Sequence, residues 1–98
     1  STTYGSYSLA HLSTMPAGDY ESIHGGYDTT MVNADPNRLL PLDALRQLEA
    51  EGAVGGVWDT FLATCGIGTN VSSSVSIGQR MAAQIKQAGV RAAILTST

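Results

Sequence analysis

The second half of the chain sets the strongest limit on its fold, because two helix-period stripes there alternate with two runs suited to strands. From Leu39 the first stripe appears: Leu42, Leu45 and Leu48 recur on one face, and Gly52 offers a stop. Pro41 suits a first helical turn, where its missing N–H costs nothing. This spacing predicts an amphipathic helix over residues 41–51. Val54 to Leu62, carrying Val57, Trp58, Phe61 and Leu62, reads as a buried strand whose start is weakened by Gly55 and Gly56. A loop rich in Gly, Thr and Ser follows over 63–74. Ser73 or Ser74 then caps a second helix, in which Ile77, Met81, Ile85 and Ala88 form the apolar stripe and Gly89 ends the element. Gly78 inside it costs about 1 kcal/mol relative to Ala. Val90 to Thr96 closes the series as a strand.

Helix, strand, glycine-rich loop, helix and strand in this order imply a right-handed βαβ crossover. The expected fold is α/β, a short parallel sheet with flanking helices, in the manner of a Rossmann or flavodoxin-like fragment. Residues 38–98 supply this helix-strand-helix-strand core. Residues 1–37 hold the turn signals Gly5, Pro16-Ala17-Gly18, Gly25-Gly26 and Asp35-Pro36-Asn37, so they are expected to be an irregular, extended covering segment with a short strand in Tyr7 to Leu12. A length of 98 residues with 43% hydrophobic content suffices for one small α/β domain or part of one.

Charge narrows the partners. The net charge is −3 and the five Lys and Arg are spread along the chain, whereas a nucleic-acid surface needs them clustered. A small molecule or a protein is the expected partner. Before Arg38 the charged side chains are Asp19, Glu21, Asp28 and Asp35; after Phe61 they are Arg80, Lys86 and Arg91. That asymmetry either docks the two halves or leaves solvated surface charge. No apolar run reaches bilayer length and the start lacks the basic and apolar regions of a signal peptide, so no membrane association and a cytoplasmic location are expected. The single Cys65 allows no intramolecular disulfide and suits a reducing compartment. The first residue is Ser1, as expected of a processed start or of a fragment.

Two segments carry chemistry. The loop Thr64-Cys65-Gly66-Ile67-Gly68-Thr69-Asn70 sits between a strand and a helix, where small residues admit a ligand and free N–H groups favour a carboxylate or phosphate. As a dinucleotide fingerprint it is incomplete: Val71 stands at the third glycine position and no acidic residue follows about 20 residues on. A tight structural turn is the equal alternative. Cys65 at a helix start is a candidate nucleophile, against the commoner role of a small buried hydrophobe. The second segment, His24-Gly25-Gly26-Tyr27-Asp28, can bring an imidazole, a phenol and a carboxylate into one loop, against a turn in which Asp28 caps backbone N–H groups. His11 and His24 match no metal spacing, and no metal site is expected. Asn33-Ala-Asp-Pro-Asn-Arg38 reads as a turn feeding the helix, with Arg38 a candidate carboxylate anchor.

Four segments together carry a resemblance. His24-Gly-Gly-Tyr-Asp28, Asn33-Ala-Asp-Pro-Asn-Arg-Leu-Leu-Pro-Leu-Asp43, Gly66-Ile-Gly-Thr69 and Ala93-Ile-Leu-Thr-Ser-Thr98 resemble, in consistent order, the selenoprotein B subunit of glycine, sarcosine and betaine reductases. The resemblance implies reductive C–N bond cleavage by a selenocysteine expected directly after Thr98. It implies a small amine substrate held by a partner subunit, as a Schiff base on its pyruvoyl group in the glycine system, and a carrier selenoprotein that receives the adduct. It also implies an end at Thr98 set by UGA read as a stop, by an artificial boundary or by proteolysis, and a fragment inactive alone. His24, Tyr27, Asp28, Gly66, Gly68, Thr69, Thr96, Ser97 and Thr98 are the candidate site-lining residues, and none of them is the nucleophile. A D-proline reductase-like subunit or a selenium-free oxidoreductase homologue is the nearest alternative. A metabolite-binding or assembly module without turnover is a third, and apolar surface left by a missing portion would allow a homo-oligomer.

Overall fold

Strand pairing joins the start of the chain to its middle. In the computed structural model, which describes residues 4–22, 28–64 and 70–97, strand β1 (Gly5–Ser8) lies antiparallel to β2 (Thr60–Ala63), with Gly5 opposite Ala63 and Ser8 opposite Thr60. The Leu9 N–H extends the ladder to the Asp59 carbonyl at 2.7 Å. Tyr7 and Phe61 face each other across it with ring centroids 5.2 Å apart, and Tyr20 meets Phe61 edge-on at 5.8 Å. Two short strands hold together weakly by themselves, so these aromatic pairs and the core beneath them matter.

The described helices are α1 (Thr30–Ala34), α2 (Leu42–Ala50) and α3 (Val71–Gln87), with a single 3₁₀ turn at Pro36–Arg38. The two longer ones end alike. Gly52 after α2 and Gly89 after α3 take φ of +77° and +79°, the left-handed conformation that glycine adopts without a Cβ penalty. Gly52 and Ala53 N–H then reach the Glu49 and Leu48 carbonyls, as Gly89 and Val90 N–H reach those of Lys86 and Ile85. Sequence places both glycine stops correctly. It misplaces one start, because Asn70, rather than Ser73 or Ser74, caps α3 by accepting the Ser73 N–H at 2.8 Å.

The core is small and lies where α2 meets the sheet and the first loop. Leu42 is fully buried against Leu9 and Met15, with Leu12, Tyr20, Leu40 and Phe61 packed around them. Two of these three buried residues come from the first 37 residues, so that segment contributes core as well as cover. Side chains fix its backbone. Asn37 Oδ1 accepts the Met15 N–H at 3.0 Å and the Asp43 N–H at 3.1 Å, while its Nδ2 donates to Thr14 Oγ1 and Asp35 Oδ1 at 2.8 Å each. Arg46 donates from Nε to the Leu12 carbonyl at 2.8 Å and from Nη2 to the Leu9 carbonyl at 3.1 Å.

The α/β class holds, and the sheet differs from the expectation. The observed pairing is antiparallel and uses the N-terminal strand, in place of a parallel pair made by 54–62 and 90–96. Val57 shows why the middle strand starts late: its N–H is taken by Glu49 Oε2 at 2.8 Å, which keeps this stretch a loop returning from α2 until Thr60. Residues 90–97 form no strand. The short strand expected in Tyr7 to Leu12 overlaps the observed Gly5–Ser8 only at Tyr7 and Ser8, and a helix and a 3₁₀ turn occupy 30–38 where extended chain was expected.

Candidate functional site

Most candidate residues fall outside the described part of the chain: His24, Tyr27, Cys65, Gly66, Gly68, Thr69 and Thr98. Of the others, Asp28 lies two residues before α1, and Thr96 and Ser97 end the described chain. Asp28 is exposed and accepts hydrogen bonds from the Thr30 hydroxyl and from the Thr30 N–H, the latter at 3.0 Å. Both bonds stabilise the ionised form, and its pKa lies below the usual aspartate value. At neutral pH Asp28 is therefore an anion and a hydrogen-bond acceptor, unsuited to donate a proton.

Sequence reasoning missed how the flanks of this segment are held. Asn33 on α1 accepts the Ser22 N–H at Oδ1 over 2.7 Å and donates from Nδ2 to the Ser22 carbonyl over 3.2 Å. On the other flank Asp28 is tied to Thr30 in the first turn of α1. Ser22 and Asp28 are thus both fixed to α1, one at each end of the His24 segment. The Asp-Pro-Asn signal gave the turn but carried nothing about which backbone groups Asn33 and Asn37 would take. Arg38 also serves the backbone: Nη1 donates to the Met31 carbonyl at 2.9 Å.

Thr96 and Ser97 are exposed and make no hydrogen bond to any described residue. They lie on the rim of a broad, open concave surface lined by Trp58, Leu62, Met81, Ile85 and Ile94. Asp28 does not line it, and no hydrogen bond or ion pair among the described residues joins Asp28 to the terminal segment. Helix α3 borders the surface and is attached to β1 through Gln84, which accepts from Tyr4 Oη at 2.6 Å and donates to Ser6 Oγ at 3.0 Å. The Arg80 guanidinium sits 5.9 Å above the Tyr4 ring. Among the described residues no three of His, Cys, Asp and Glu converge to hold a metal ion, and no helix is long and apolar enough to cross a membrane.

Comparison with known proteins defines the class. The model of the family described as glycine/sarcosine/betaine reductase selenoprotein B matches residues 1–98. The chain belongs to this family. It is 45% identical over 95 residues to the glycine reductase complex component B subunit gamma of Carboxydothermus hydrogenoformans. It is 43% identical over 97 residues to the sarcosine reductase complex component B subunit beta of Peptoclostridium acidaminophilum, and 39% over 97 residues to the betaine reductase counterpart of that organism. These alignments take in 97%, 99% and 99% of this chain and 22% of each relative, so the chain spans about a fifth of their length. A shorter match, 36% over 75 residues, is to the D-proline reductase subunit gamma of Acetoanaerobium sticklandii. No solved structure matches.

Proposed function

We propose that residues 1–98 form part of the substrate-specific subunit of a cytoplasmic reductase complex that cleaves the C–N bond of glycine, sarcosine or betaine. The family match along the whole chain carries this reading, since the relatives' names span these three amines. A selenocysteine after Thr98 would supply a polarizable nucleophile ionised at neutral pH, while another subunit would hold the amine, in the glycine system through a pyruvoyl group, and a carrier selenoprotein would take the product. The residues present fit that arrangement at one point. Thr96 and Ser97, which would precede that selenocysteine, are exposed and their hydroxyls are unengaged among the described residues. Asn33 and Thr30 fix the flanks of the His24 segment, and the ionised Asp28 would orient groups by accepting hydrogen bonds.

The test is amine release by the assembled complex, containing the full-length subunit with selenocysteine or cysteine after Thr98 and supplied with a dithiol. Ammonia from glycine, methylamine from sarcosine or trimethylamine from betaine is the expected product. Ring opening of D-proline with none of these amines would favour the D-proline reductase reading, which the shorter 36% match supports. Ligand binding without turnover of any of the four would leave a metabolite-binding or assembly module and overturn the reductase reading.

A further inference from the structure

The chain exposes more surface than its mass accounts for. Its accessible area is 6709 Å², whereas a folded monomer of 10.2 kDa exposes about 5,300 Å². Its radius of gyration, 14.3 Å, exceeds the value of about 13 Å for a compact domain of this length. The excess area, on the order of 1,400 Å², is more than the roughly 800 Å² that one partner contributes to a standard stable interface.

Part of it is apolar. Trp58, Leu62, Met81, Ile85, Val90 and Ile94 are among the residues that line a broad, open concave surface, together with Asp19 and Glu21. Ile94 is 61% exposed and Leu95 91% exposed, although both belong to a run whose composition favours a strand. The backbone of residues 91–97 makes no hydrogen bond among the described residues. Unpaired strand-forming backbone beside an apolar hollow is a template for a further strand.

We propose that this surface docks the part of the full-length subunit lying outside residues 1–98, and that 91–97 becomes a paired strand there. Length selects this occupant. The matched region is 22% of each relative, so a large remainder of the same polypeptide is available to fill the hollow. A second copy of this chain is the alternative occupant, and with Arg91, Asp19 and Glu21 all lining the surface, charge is neutral between the two.

Hydrogen exchange in the full-length subunit carrying this sequence tests the proposal without reading activity, so its outcome is separate from that of the reductase reading. Amides of 91–97 are expected to exchange at least about a hundredfold more slowly than in an unstructured peptide. Exchange at the free-peptide rate would overturn docking. Sedimentation and exchange on the 98-residue chain supply the second arm: 91–97 is expected to stay unprotected, and a stable dimer that protects it would assign the surface to a second copy.

Discussion

Residues 9–22 and 28–50 are pinned by side chains that reach backbone groups far along the sequence, whereas residues 70–97 hold themselves by helix-local bonds and meet the remainder through a few side chains. In the first region Asn37, Arg46 and Asn33 each bind two or more backbone groups, and Leu42 has no exposed surface. In the second, Ile77 is the buried residue of α3, and the chain beyond Gly89 has no backbone partner after Val90. The difference teaches which region is held by its own polar contacts. The first satisfies distant backbone groups with its own side chains, whereas Ile94 and Leu95 stand exposed on backbone without a hydrogen-bond partner among the described residues.

Core truncation should separate the two regions most. Leu42→Ala leaves a cavity between Leu9, Met15 and Phe61 and is expected to lower stability by about 2–5 kcal/mol in denaturant unfolding. Ile77→Ala borders the open surface, where neighbours can relax, and should cost no more than about 2 kcal/mol, the bottom of the same range. Equal losses would show that α3 is as firmly embedded as α2, and the contrast would fall. Asn37→Ala comes next. It strips the Met15 and Asp43 N–H groups of their acceptor, at an expected cost of about 2–3 kcal/mol, because an unsatisfied donor loses more than one bond is worth. Asn37→Asp keeps the acceptor and loses the Nδ2 donor beside Asp35, so it should fall between wild type and Ala. An Ala variant as stable as wild type would remove the pinning account.

The contrast also explains what the sequence could convey. Helix α2 and helix α3 were legible because their apolar period, Pro41, Gly52 and Gly89 are local signals that tertiary packing did not overrule. The sheet was not legible. Val57, Trp58 and Phe61 mark a strand-prone run, but nothing local says that Thr60–Ala63 pairs with Gly5–Ser8 instead of with 90–96, and Glu49 takes the Val57 N–H from a helix earlier in the chain. Asp28 was legible as a residue that caps backbone N–H groups, and it does so at Thr30. The grip of Asn33 on Ser22 was invisible for the same reason as the sheet: an asparagine announces a turn through its own backbone preferences, and its distant partner is chosen by the fold.

Glycine substitutions probe the second region on a smaller scale and in both directions. A Cβ at Gly89 would sit on a residue with φ of +79°, so Gly89→Ala is expected to cost about 1–2 kcal/mol and to fray the end of α3. At Gly78 a Cβ would meet nothing within 4 Å, so Gly78→Ala should gain about 0.5–1 kcal/mol through helix propensity alone. Helical circular dichroism through thermal melts reads both. A loss at Gly78 would reveal a contact on that face of α3 and weaken the view of it as uncovered.

Acid should act on the first region and spare the second, and this is the smallest effect because the groups involved are exposed and screened. Asp35 is held below the usual aspartate range by the Asn37 side chain and N–H, with Arg38 adding a favourable charge. Glu49 is lowered by the Val57 N–H and by Arg46, and Asp28 by Thr30. In each case the native state binds its proton less tightly than the unfolded chain, so the contribution to stability is present above the ordinary carboxylate pKa and is lost as pH falls through the lower folded value. No acidic residue follows Asp59, so α3 carries no such group. Between about pH 5 and about pH 3, amide protection in residues 9–20 and 42–50 should therefore fall while protection within α3 changes less. Asp35→Asn should flatten that acid limb, since its amide no longer titrates. Parallel loss in both regions would mean that α3 depends on the clamped region for its stability, and the two would have to be treated as one cooperative unit.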